Sequence, residues 1–159
     1  MIKTPSWLRD AKFLFACRLV LGSIFLYASF GKILDPRSFA ETILAYQIFS
    51  SPLIVRYVAV TLPWVEWFCG ILLILGIFVR SAAALSTAML TAFLVGMISA
   101  WVRGLNITCG CFGPTQETIG AITLLRDGVF LSLSLFILLS HVDSLTLQQF
   151  LLQRRVRST

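Results

Sequence analysis

The sequence predicts an all-α integral membrane protein, with four transmembrane helices in an antiparallel bundle and a short interfacial helix. Three observations carry that expectation. Of the 159 residues, 58% are apolar and the mean hydropathy is +0.90, well above the roughly 45–50% apolar usage of soluble domains. Four apolar stretches are each long enough to cross the roughly 30 Å hydrocarbon core of a bilayer. Most of the charged residues and prolines fall outside them, and a polar break with three glycines, 103–118, separates the last two.

The basic segment 1–12 carries Lys3, Arg9 and Lys12 against Asp10 alone. Residues 13–34 follow as the first span, about 33 Å long as a helix. The apolar run continues through Leu26-Tyr27-Ala28-Ser29-Phe30 without a small-x-small exit, so it reads as a retained helix rather than a cleaved signal. Asp35-Pro36 stops it. Across 37–50, Phe39, Ala40, Ile43, Leu44 and Ile48 recur at helical spacing; the stretch is too short and polar to span and suits the interface. The second span covers 53–79, with a kink expected at Pro63, which lacks an amide donor and crowds the Ala59 carbonyl. Arg80 and its neighbours divide it from the third span, 81–102, making the two an antiparallel hairpin. The fourth span covers 119–141, and the basic tail ends in Arg154, Arg155 and Arg157.

Between the third and fourth spans lies the longest polar, glycine-rich break, 103–118, containing Cys109-Gly110-Cys111-Phe112-Gly113-Pro114. Its glycines and proline exclude a regular helix. Such a turn has three readings: a redox pair, half of a metal site, or two neighbouring thiols. A bridge across a single residue is strained, and strained bridges are the more oxidising, labile ones. Arg103 would favour a thiolate nearby. The metal reading is weaker, because His141 is the sole histidine and lies at the opposite end of its span; two thiolates alone leave a zinc site half built, though Cu(I) could accept them. Cys17 and Cys69 fall inside spans, where a thiol is ordinarily a small hydrophobe.

The net charge of +6 does not point to nucleic acid, since the basic residues are scattered and gather only at the termini. With the N-terminus inside, the inner face holds seven of them (Lys3, Arg9, Lys12, Arg80, Arg154, Arg155, Arg157) and the outer face four (Lys32, Arg37, Arg56, Arg103). That bias predicts both termini inside and the cysteine loop outside, where disulfide chemistry is allowed.

Arg18, Glu66, Arg126 and Asp127 fall inside predicted spans, where charge facing lipid is costly and should turn inward and pair. The expected ion pair is Glu66 with Arg126, with Arg18 competing. With Trp64 and Trp67 nearby, Glu66, Arg126 and Asp127 make either a site for a flat, polar-headed ring or a structural network. Lys32 with Asp35, and Tyr46, Trp64 and Trp101, read as interface anchors.

Three elements together resemble a known family. These are Arg18 to Gly22 with Gly31-Lys32 in the first span, Pro63-x-x-Glu66 with Gly70 and Leu72 in the second, and Arg103-Gly104 leading to Cys109-Gly-Cys-Phe-Gly113. The chain is similar over about 11–141 to the MauE branch of the DoxX-like membrane proteins. The resemblance implies a four-helix bundle in the bacterial inner membrane and a redox accessory role beside a periplasmic thioredoxin-like partner. It is also the source of the link to maturation of a disulfide-rich methylamine dehydrogenase subunit, and to quinone.

The expectation is therefore a membrane thiol-disulfide oxidoreductase. Cys109 and Cys111 would exchange electrons with the thioredoxin-like protein, and a quinone near Glu66, Trp64, Arg126, Asp127 and Arg18 would be the other redox partner. The rivals are a docking subunit with a static Cys109–Cys111 bridge and a small-molecule or metal carrier.

Overall fold

The computed structural model describes residues 11–48, 51–105, 107 and 120–140. Within them the chain forms five helices: α1 (Ala11–Leu34), α2 (Pro36–Ala45), α3 (Pro52–Leu75), α4 (Val79–Val102) and α5 (Ala121–Leu139). All but α2 are long and apolar enough to cross a bilayer, and the architecture is an all-α membrane bundle. Leu34, Tyr57, Phe68, Val95 and Ile122 are each more than half exposed, an outward apolar surface that requires lipid as solvent.

Local chemistry sets the boundaries. Asp35 caps α2 by accepting the Ser38 amide at 3.1 Å, and Pro36 supplies a preset φ at the first helical position. Asp35 is thus a helix cap, in place of the membrane-interface anchor expected from sequence. The α3 helix runs on through Pro63 but stops at Leu75, short of the expected Val79. Gly76 takes the left-handed conformation (φ 71°), and the Gly76 and Ile77 amides both bond the Leu72 carbonyl. That turn places Arg80 inside the first turn of α4.

Two helix pairs make most of the packing, α1 on α3 and α4 on α5. The first rests on a glycine crossing. A Cβ added at Gly22 would lie 2.9 Å from the Gly70 carbonyl oxygen, and one at Gly70 would lie 2.9 Å from that of Gly22. The backbones approach this closely because neither residue has a side chain. The second pair is joined by hydroxyls: Thr87 and Ser134 lie 2.9 Å apart, and Ser134 also donates to the Ala83 carbonyl. Leu21, Leu73 and Ala83 fill the centre and are fully buried.

Gly70→Ala should therefore cost about 1–3 kcal/mol by forcing backbone apart. Gly128→Ala, with open space around its Cβ position, should be close to neutral or slightly stabilising. Thermal unfolding in detergent reads the contrast, and equal effects would contradict this packing.

Candidate functional site

Arg18, Leu21, Phe25, Ser29 and Lys32 recur at spacings of three and four, placing them on one face of α1. That face is buried, with Arg18 at 1% exposure and Lys32 at 3%. Lys32 donates to both carboxylate oxygens of Glu66, at 2.8 and 2.9 Å. Its ammonium also lies 5.0 Å from the Phe39 ring centroid and 4.9 Å from that of Phe93.

Helix geometry explains why these two residues meet. From the Gly22–Gly70 crossing, Lys32 lies ten residues along α1 and Glu66 four residues back along α3, about 15 and 6 Å. Side chains tilt toward the N-terminus of their own helix. In this antiparallel pair, Lys32 reaches down while Glu66 reaches up, and the offset closes.

The expected Glu66–Arg126 pair is therefore replaced by Glu66–Lys32. Lys32 is a core cation rather than an interface anchor, and its position 14 residues after Arg18 on the same face was the available signal. Arg126 instead bonds its neighbour Asp127, Nε to Oδ1, at 3.3 Å. Arg18 donates from Nε to the Leu73 carbonyl at 3.1 Å and lies over Phe15, far down α1 from Lys32. Trp64 is 48% exposed and does not line the cavity at the ion pair. Trp67 packs against Phe30.

That cavity, about 40 Å³, is lined by Lys32, Glu66 and Asp127 among apolar residues that include Phe25, Phe93 and Phe130. It has room for a few waters. Asp127 is buried, seven positions into α5 counting Ala121 as the first. Its charge acts on Tyr46, whose hydroxyl is pushed up to about 12 by burial first and by Asp127 second. Tyr46 is therefore a neutral hydroxyl at physiological pH. It is buried against Met97 and Ala100 rather than anchored in the interface. Its carbonyl accepts a hydrogen bond from Arg103, the first residue beyond α4.

Cys109 and Cys111 lie outside the described residues. Cys17 and Cys69 are free and buried in the core. No cluster of three His, Cys, Asp or Glu side chains suited to a metal forms among the described residues.

Four membrane-crossing helices define a multi-pass membrane protein in the bilayer. The chain belongs to the family described as methylamine utilisation protein MauE, whose family model matches residues 10–140. Membership suggests a membrane accessory protein in methylamine utilisation. Comparisons with curated proteins and with solved structures gave no match.

Proposed function

We propose that this chain is a thiol-disulfide redox protein of the bacterial inner membrane, with both termini cytoplasmic and Cys109 and Cys111 periplasmic. A thioredoxin-like protein exchanges disulfides with that pair, in support of disulfide formation or maturation of exported proteins. When the partner dithiol reduces the Cys109–Cys111 bridge, the partner gains a disulfide and this chain gains two thiols. Reoxidation removes two electrons and two protons, which convert one quinone to quinol.

The observation that supports this reading is that the buried polar cluster lies toward the end of the bundle where α4 stops and α5 starts. The loop leaves α4 at Arg103 and enters α5 at Gly120, with Asp127 two turns further on. Lys32 and α2 lie at that same end, and Arg103 ties the start of the loop to α2. Glu66 and Asp127 are the groups suited to exchange protons with a quinone, and Lys32 to donate to a ring oxygen.

A docking subunit with a static bridge is the second reading, favoured by the two-pronged closure of Lys32 on Glu66. Trapping separates the two. Replacing one cysteine of an exchanging pair leaves the mixed disulfide unresolved, so Cys109→Ser or Cys111→Ser should capture the partner in a non-reducing gel. One of the two should capture it far more strongly, since the mixed disulfide forms at only one of the two sulfurs. Equal absence of adducts with full retained function would favour docking.

A further inference from the structure

A groove of about 730 Å³ runs between α2, α3 and α4, where α3 packs less extensively than it does on α1. Its α4 wall includes Ala88, Ala92 and Gly96, one turn apart, where small side chains leave the space open. Ile43 of α2, Tyr46 just beyond that helix, and Leu62 of α3 face it. Its volume lies within the roughly 300–1,000 Å³ of ordinary ligand pockets. Met89 and Phe93 line both this groove and the cavity at Lys32, Glu66 and Asp127. An apolar channel therefore ends against a buried polar cluster, with two side chains between them.

We propose that this groove seats the apolar chain of an isoprenoid quinone, with its ring at the Met89–Phe93 partition and a ring oxygen directed at Lys32. The inference rests on the quinone-linked reading above and adds the place and the head-group chemistry. The charge balance selects a neutral head. Lys32 is matched by Glu66, and Arg126 by Asp127, so an added fatty-acid carboxylate or lipid phosphate would meet two carboxylates with no unmatched cation beside them among the described residues. Lys32 has three donors and directs two to Glu66, which leaves one for a carbonyl oxygen. The cavity holds only a few waters, which excludes a bulky glycerophosphate head but suits the edge of a flat ring. Phe93 offers that ring an aromatic face, and Met89 is unbranched and flexible enough to yield.

The test uses the full chain in phospholipid nanodiscs and a photoreactive long-chain quinone. Trypsin should release α4 as the peptide Ser81–Arg103, and the label should fall there. Excess unlabelled long-chain quinone should compete, while a fatty acid of equal length should not. Ala92→Trp and Ala88→Trp replace exposed alanines in the groove wall and should each cut labelling at least tenfold with unchanged thermal unfolding. Absence of label from Ser81–Arg103, equal competition by fatty acid, or full labelling in both folded variants would overturn the site. Specific labelling without quinone-driven oxidation of Cys109 and Cys111 would uphold the site and sink the redox function. Thiol oxidation by long-chain quinone that is unchanged in both variants would do the reverse.

Discussion

Lys32→Met should unfold the bundle far more readily than most single substitutions in this chain. Glu66 is 4% exposed and both of its carboxylate oxygens bond Lys32, so the variant strands a carboxylate in an apolar interior. Breaking such a pair from one side costs about 3–5 kcal/mol in water-soluble proteins. Glu66→Gln should be of similar size, because it leaves the ammonium of Lys32 between Phe39 and Phe93 without a counter-charge. The combined Lys32→Met, Glu66→Leu variant removes both charges and should recover most of the loss, since a buried pair replaced by matched apolar groups is often neutral or better. A double-mutant cycle from thermal or denaturant unfolding in detergent measures the coupling. Additive losses would mean that the pair is not the linked unit described here. The recovered double variant also separates folding from chemistry: it should be well folded and still fail to pass electrons to quinone.

The cysteines should divide just as sharply. Cys109→Ala and Cys111→Ala should each reduce quinone-linked thiol oxidation to background, because two sulfurs are needed to form and open the bridge. Cys17→Ala and Cys69→Ala should retain most of that activity. Both thiols are buried in the core, at 7% and 2% exposure, where access to a partner's disulfide is closed. Their loss should instead appear as a modest drop in thermal stability from the space left behind. Turnover with a dithiol donor and a quinone, compared across the four variants, reads both effects. Full activity in Cys111→Ala would remove the pair from the mechanism.

The four membrane helices were legible because hydropathy and length are local properties, and every expected span has its helix. The end of α3 was less so: the apolar run continues past Leu75, and only the left-handed turn at Gly76 closes the helix. The interior partners were the least legible. Glu66 was marked by its placement in an apolar span, but periodicity within α3 cannot say which helix faces it. Lys32 sits two residues from the end of α1, where position alone favours the interface. Its burial follows from the glycine crossing and the opposed tilt of side chains, which join residues 34 apart in sequence. Trp64 illustrates the converse. Two residues from Glu66 is more than half a turn away, so adjacency in sequence put it on the lipid side.

The most direct test of electron transfer through Cys109 and Cys111 is anaerobic. Fully reduced protein in nanodiscs is mixed with oxidised quinone, and its four thiols are then mass-tagged and assigned by peptide. The predicted result is the loss of two thiols, Cys109 and Cys111, with one quinol formed for each disulfide and Cys17 and Cys69 still reduced. Retention of all four thiols, or oxidation that falls on Cys17 and Cys69, would contradict it.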